Sequence, residues 1–381
     1  MEVVAFAIIV LGVIGLQEWI FGRFVLRKLE YICDFSEKEA YEGDSLFLVE
    51  TVHNKKLLPV PWLKVDINSS RWLEYANTKS VVAQEFRYVT SSFFLKGYQK
   101  VTRRWKLKCL KRGVYTIKSV TLISGDLIGR NTISTPVEIN AVITVYPALI
   151  RLENFFIPVR QQQGDTIVRR WILEDPFIVS GAREYTPRDP MNRVHWSATA
   201  RQGSLMVRKN DYTAQTGITV LLNIQSMETE YFDAVHKDWI EMGIKAAATI
   251  FDTALREGTP VRLVTNGSTV DGGKEMIFTS EASGREHVLQ LMHLLAKLEL
   301  RAIKDFEEYL ETVLPQFYNT DIILITAYLT ERIRNLMRLV IRRNCSVKIL
   351  VLDRFIEQND LPQDMEVYIL AGDEGGNGQE S

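Results

Sequence analysis

The segment Gly181-Ala-Arg-Glu-Tyr-Thr-Pro-Arg-Asp-Pro-Met-Asn-Arg-Val-His-Trp-Ser-Ala-Thr-Ala-Arg201, followed by the apolar run Ile218-Thr-Val-Leu-Leu-Asn223, decides the fold. The run is apolar at nearly every position, which suits a strand covered on both faces. Beyond it, helical and strand patterns alternate. Tyr231 to Leu255 places Val235, Trp239, Met242, Ala246, Ile250 and Phe251 at helical spacing. Pro260 to Thr265 reads as a second strand and Arg285 to Leu300 as a second helix. Asp321 to Thr326 is a third strand, Glu331 to Arg343 a helix, Ser346 to Leu352 a fourth strand, and Glu366 to Leu370 a last one. Strands alternating with helices predict an α/β domain over residues 217–370, a doubly wound parallel sheet with right-handed crossovers.

Upstream the period changes. From Tyr31 to Pro147 the signals are short strands and turns: Ser45 to His53, Val60 to Ile67, Tyr88 to Phe94, Val101 to Leu107, Tyr115 to Ile123 and Val142 to Tyr146. Gly113, Gly125 and Gly129 mark turns. Strands at this spacing predict a β-sandwich-like module over residues 31–147. A connecting segment, 148–216, carries the quoted stretch. The Gly-rich, acidic end from Ala371 to Ser381 reads as a disordered tail.

Residues 1–28 read as a transmembrane anchor. Val3 to Gly22 is close to the roughly 20 residues that a helix needs to cross a bilayer, and Trp19 suits the interface. A cleavable signal peptide would need a basic stretch before the apolar one. Here the chain opens Met1-Glu2, and Arg23, Arg27 and Lys28 come after the apolar run. Those three charges predict that the bulk of the chain lies in the cytoplasm.

The 381 residues suit two or three domains. With 46 basic against 47 acidic residues, net −1, there is no basic excess of the kind that nucleic acid selects. Cys33, Cys109 and Cys345 are far apart and form no C-x-x-C pair, so neither a disulfide framework nor a zinc site is implied. No phosphate-binding loop, dinucleotide fingerprint or nucleophile elbow occurs, and no cofactor is expected.

The residues Arg183, Tyr185, Pro187, Asp189, Arg193, His195, Trp196 and Arg201 admit three readings. They form an ion-pair and hydrogen-bond network in which an arginine holds Asp189 and Trp196 fills a gap. Or they present a recognition surface, since Trp, Tyr and Arg are enriched at hot spots. Or Asp189, His195 and Ser197 do hydrolytic chemistry, although all three lie within nine residues of one another and no strained turn surrounds Ser197.

This stretch, with Leu110-Lys-Arg-Gly-Val-Tyr-Thr116 and Gly125-Asp-Leu-Ile-Gly129, resembles the bacterial and archaeal family called domain of unknown function 58. The resemblance implies a von Willebrand A-like C-terminal domain. It also implies a non-enzymatic scaffold that assists assembly or maturation of a membrane or envelope complex with a MoxR-type AAA+ ATPase. An extracellular adhesin would need the opposite topology. Arg188 stands where the family has glycine. A von Willebrand A-like domain carries a D-x-S-x-S metal-ion-dependent adhesion site after its first strand, whose carboxylate and hydroxyls suit magnesium. Here Asn223, Gln225 and Met227 occupy those positions, and Ala327 replaces a further aspartate. The expectation is a degenerate site without metal. In it, Asn223, Gln225 and Ser226 either form a polar contact surface or satisfy backbone at a strand end.

Overall fold

The computed structural model describes residues 2–76, 78–127, 129–152, 156–158, 179–184, 196–210, 217–230, 233–273, 275–318, 320–343, 345–353, 362 and 365–370. They divide into two units: residues 1–148 with 293–297, and residues 149–292 with 298–381.

The first unit opens with α1, Glu2–Phe24. Within its apolar part, Val3–Phe24, the most apolar 18-residue window has mean hydropathy 2.2, enough in length and composition to cross a membrane, and no residue of that window is buried. Ten strands come next: β1 Leu29–Phe35, β2 Glu39–Tyr41, β3 Ser45–Asn54, β4 Val60–Ser70, β5 Leu73–Tyr75, β6 Ser80–Ala83, β7 Phe86–Leu95, β8 Lys100–Cys109, β9 Gly113–Gly125 and β10 Thr132–Tyr146. They make two sheets, ordered β1-β3-β8-β5 and β2-β10-β9-β4-β7-β6, antiparallel except where β2 runs parallel to β10. Alternation along β3 and β7 sends every second residue inward. Leu48, Val52 and Leu107 of one sheet share a core with Leu63, Val65, Val89 and Phe93 of the other. Phe21 and Val25 belong to the same core, so the last turns of α1 are built into the sandwich.

One buried charge crosses that core. Glu50 on β3 is fully buried. Its carboxylate accepts from Tyr31 Oη (3.0 Å), Ser91 Oγ (2.7 Å) and Trp105 Nε1 (3.0 Å), and Ser91 belongs to the opposite sheet. Burial pushes the Glu50 carboxyl up, and the three donors only partly offset it.

The second unit holds eleven strands: β11 Phe156–Pro158, β12 Val179–Glu184, β13 Met206–Asn210, β14 Ile218–Leu222, β15 Val261–Thr265, β16 Gly267–Thr269, β17 Ile277–Phe278, β18 Leu298–Ala302, β19 Asp321–Thr326, β20 Ser346–Val351 and β21 Glu366–Leu370. Its helices are α2 Trp196–Gln202, α3 Lys237–Glu257, α5 Phe306–Val313 and α6 Glu331–Ile341, with α4 Arg285–Lys297, whose residues 293–297 count with the first unit. The main sheet runs β11-β21-β20-β19-β14-β15-β17, with β21, β20, β19, β14 and β15 parallel and the two outermost strands antiparallel to their neighbours. Every residue of β14 is buried, as its apolar run requires. Helix α3 lies against this sheet at Gly243, where an added Cβ would meet Leu352 Cδ1 at 2.9 Å and Ile325 Cγ2 at 3.1 Å. It ends at Gly258, whose φ of 70° closes the αL cap.

The main departures from the sequence reading are two helix ends and one added helix. Helix α3 starts at Lys237 instead of Tyr231, because the residues before it are held outside the helix. Asp233 bridges Arg301, and the Val235 and His236 amides are bonded to Glu230 and Ser226. Helix α4 stops at Lys297, because Leu298–Ala302 pairs with β16. The short α5, absent from the reading, is nucleated by Asp305, whose side chain caps the Glu307 and Glu308 amides. The tail from Ala371 lies outside the described residues.

Replacing Glu50 by alanine strips an acceptor from buried Tyr31 and Ser91 and half-buried Trp105 and is expected to lower stability by about 3 kcal/mol in chemical denaturation. Glu50→Gln separates charge from shape. A carboxyl whose folded pKa is raised favours folding at low pH and loses that contribution as pH rises through the folded value. The wild-type midpoint should therefore fall relative to Glu50→Gln as pH goes from below the ordinary carboxylate range to neutral. A pH-independent difference would show that Glu50 is not strained by burial.

Candidate functional site

In open α/β sheets, ligands bind beyond the carboxyl ends of the strands, where the chain reverses its direction across the sheet. Here the connection from β14 runs to β15 on one side, while β19, on the other side of β14, continues to β20. The switch point therefore lies between the ends of β14 and β19. The register aligns Leu222 with Thr265 of β15 and with Ile325 of β19, which sets Asn223, Asn266 and Thr326 side by side, one residue further on. All three are fully buried.

Their side chains are bonded to protein. Asn223 Nδ2 donates to Thr326 Oγ1 (3.1 Å), and its Oδ1 accepts the Gln225 amide (2.9 Å). The Asn223 amide donates to Ile325 O (2.9 Å), and Thr326 Oγ1 donates to Tyr328 O (2.8 Å). Asn266 Oδ1 accepts the Ile224 amide (2.9 Å), and its Nδ2 reaches Lys304 O (3.1 Å) and Gln225 Oε1 (3.3 Å). Gln225 Oε1 also accepts the Phe306 amide at the start of α5 (2.7 Å), and Gln225 Nε2 donates to Glu230 O (2.5 Å). Tyr328 Oη stands 3.5 Å from the same Gln225 oxygen, and burial pushes its phenol up.

Glu230 anchors the loop. Its carboxylate accepts from the Ser226 amide (2.5 Å), from Ser226 Oγ (3.0 and 3.1 Å) and from the Val235 amide. Ser226 Oγ in turn accepts the His236 amide (3.0 Å). Asn223, Gln225 and Ser226 are thus buried, at 0, 2 and 2% exposure, and turned to backbone and neighbouring side chains. The geometry is that of a strand end satisfied internally. Met227 is 42% exposed and Ala327 is buried. Among the described residues no three His, Cys, Asp or Glu side chains are grouped to hold a metal. The acidic group at the switch point, Glu230, already accepts three kinds of protein donor.

The sequence reading found Asn223, Gln225 and Ser226 but missed Glu230, Asn266, Thr326 and Tyr328. A usable signal was present. The apolar runs of β14, β15 and β19 each end in a polar residue, and parallel pairing in register brings those residues together.

The signature residues are placed only in part. Arg183 lies on β12, opposite Val207 of β13, in a two-stranded sheet separate from the main sheet. Tyr185, Pro187, Asp189, Arg193 and His195 lie outside the described residues, and so does the paired-arginine arrangement expected around Asp189. Trp196 opens α2 and is 68% exposed. Thr199 Oγ1 accepts the Met206 amide (3.0 Å), Thr199 O accepts the Gly203 amide (2.9 Å), and Met206 is the buried residue. Arg201, in the last turn of α2, is exposed.

Comparison with known proteins places these elements. The family described as "Protein of unknown function DUF58" matches residues 181–377, from within β12 to beyond the last strand. The "Uncharacterized protein YeaD" of Bacillus subtilis (strain 168) is 21% identical over 310 residues, covering 81% of this chain and 72% of that protein. Solved structures similar to parts of the chain include a non-cellulosomal cohesin from the archaeon Archaeoglobus fulgidus, at 13% identity over 33% of this chain and 94% of that one, TM-score 0.22. A cohesin module from a Clostridium perfringens family 33 glycoside hydrolase is similar at 11% identity over 29% and 99%, TM-score 0.19.

Glu230→Ala leaves the Ser226 amide, the Ser226 hydroxyl and the Val235 amide without an acceptor, an expected loss of about 3 kcal/mol in chemical denaturation. Magnesium added in millimolar excess should leave the wild-type thermal midpoint unchanged, because the switch-point side chains are committed to protein partners. A midpoint that climbs with magnesium concentration would show that the loop opens to bind the ion.

Proposed function

The chain belongs to the DUF58 family, and from that premise we propose that it is a membrane-anchored protein that binds a protein partner and catalyses no reaction itself. Its C-terminal unit is read as a von Willebrand A-like domain that has given up the metal. In such a domain the switch point holds a cation that a partner's carboxylate completes. Here the observation that carries the proposal is the replacement of that site by a self-satisfied network, in which Asn223 bonds Thr326 and Glu230 closes the loop over Ser226. A buried polar network satisfied this way rigidifies a fold and offers no open valence to a substrate.

Recognition then falls to surface side chains. Trp196 is a large aromatic held in the open on a short helix in the connection between β12 and β13, which suits a contact that becomes buried only in a complex. The proposed partner is an AAA+ ATPase of the MoxR type. It would supply the energy for assembling or maturing a membrane or envelope complex, since the chain has no nucleotide-binding motif of its own. The apolar α1 supports attachment to the membrane, and Arg23, Arg27 and Lys28 at its end support a cytoplasmic location for both units.

Crosslinked affinity purification from native membranes with mass spectrometry tests the reading. Wild type is expected to recover an AAA+ ATPase, and Trp196→Ala, which removes an exposed side chain, and Arg183→Ala should lose at least about tenfold of it. Recovery of no such ATPase by folded wild type, or equal recovery by all three, would contradict the proposal.

A further inference from the structure

We propose that the turn between β9 and β10 is a lipid-contact surface: beside an inserted α1, Leu127 enters the headgroup layer, and the basic side chains at this end of the sandwich meet anionic lipid phosphates. The inference rests on the reading of α1 as a membrane anchor.

Only part of α1 is free of the module. Gln17 Nε2 donates to Asp126 Oδ2 (3.4 Å), and the Leu127 amide donates to Gln17 Oε1 (3.3 Å). Arg130 lies 3.5 Å from Glu18 Oε1. Phe21 and Val25 are in the sandwich core. From Gln17 onward the helix is therefore part of the module, and the unpartnered apolar length is Val3 to Leu16. At 1.5 Å per residue that is about 21 Å, against a hydrocarbon thickness of about 30 Å. The shortfall is about six residues, which carries the hydrocarbon boundary to the neighbourhood of Gly22. The helix cannot supply those residues without bringing what is docked on them to the boundary, and the β9–β10 turn is docked on Gln17 and Glu18.

The turn is built for that place. Asp126 is fully buried; its Oδ1 accepts the Asn131 amide (2.9 Å), and its carbonyl accepts Trp62 Nε1 (2.9 Å) and the Gly129 amide (3.2 Å). Gly129 takes φ of 78°, a conformation that favours glycine. On this fixed turn Leu127 stands 59% exposed, and Trp19, two residues past Gln17, is 62% exposed. An apolar tip docked near an exposed tryptophan suits the membrane interface.

Charge agrees. Arg23, Arg27 and Lys28 are exposed at the end of α1. Strand register places the connections Lys55–Pro59 and Lys96–Gln99 at the same end of the sandwich as the turn. They add exposed Lys96 and Lys100 and two more apolar tips, Leu57 and Tyr98. The acidic groups here are engaged: Glu18 faces Arg130, and Glu30 pairs with Lys55 at 2.8 Å. Apolar tips ringed by lysine and arginine suit an anionic lipid surface.

The test uses the full chain in nanodiscs of phosphatidylcholine and phosphatidylglycerol, with an environment-sensitive fluorophore on a single introduced cysteine. Cys33, Cys109 and Cys345 are buried and should not compete for the label. Three variants are compared: Leu127→Cys, Val10→Cys within the free part of α1, and Glu85→Cys in the β6–β7 turn at the opposite end of the sandwich. Lipids carrying a quencher just below the headgroup should dim the Leu127→Cys label about twofold, with a blue shift, and leave Glu85→Cys unchanged. Quenchers deep in the chains should dim Val10→Cys. Val10→Cys quenched with Leu127→Cys unaffected overturns the lipid-contact surface and leaves the anchor intact. Val10→Cys unquenched at every depth overturns the anchor reading, and the inference falls with it.

Discussion

The C-terminal unit depends on one buried carboxylate. Glu230 takes the amide and hydroxyl of Ser226 and the amide of Val235, so a single side chain closes the loop after β14 and fixes the approach to α3. That closure explains the late start of the helix at Lys237 and the inward turn of Gln225, which bonds Glu230 O, Asn266 and the first amide of α5. With Asn223 bonded across to Thr326, the switch point of the sheet is occupied by the protein itself. In a domain that binds a cation there, carboxylate charge would be spent on the ion. Here the acidic group, Glu230, lies five residues beyond Gln225 and is spent on the backbone and hydroxyl of its own loop.

The N-terminal unit solves a comparable problem. A sandwich with Glu50 in its core must satisfy a charge far from water, and it does so with Tyr31, Ser91 and Trp105 drawn from both sheets. Its other constraint is α1, whose last turn enters the core and whose first turns, among the described residues, are not buried against the protein. A helix rigidly continuous with a sandwich sets the depth and tilt of the module against whatever covers the apolar turns. A flexible tether would set neither.

Much of this was legible in the sequence, and the rest was hidden for identifiable reasons. Asp321–Thr326 and Glu366–Leu370 are found where their apolar runs place them, and β14 is buried on both faces as its composition demands. Six strands of the sandwich were readable from the sequence, each extended by one to ten residues in the structure, while β1 and the short β2, β5 and β6 went unread. Helical periodicity misled at Tyr231 and at Leu298, because tertiary bonds from Glu230 and pairing with β16 overrode local propensity. The missed α5 is too short for a periodic signal and is visible only through its Asp305 cap. At the loop after β14, Asn223, Gln225 and Ser226 could be named from the sequence, since the polar residues directly follow an apolar run. The compensating residues Glu230, Asn266 and Thr326 come from three different elements and meet only through parallel register. Trp196 reads as core by type, and its exposure depends on where a seven-residue helix packs.

The central claim, that the switch point is closed by its own hydrogen bonds without a cation, is tested most directly by amide hydrogen exchange in metal-free buffer. The amides of Gln225, Ser226 and Val235 donate to Asn223 and Glu230, so the account predicts protection comparable to that of the β14 core, unchanged by added magnesium. Fast exchange at these three amides, slowed only when magnesium is supplied, would contradict it.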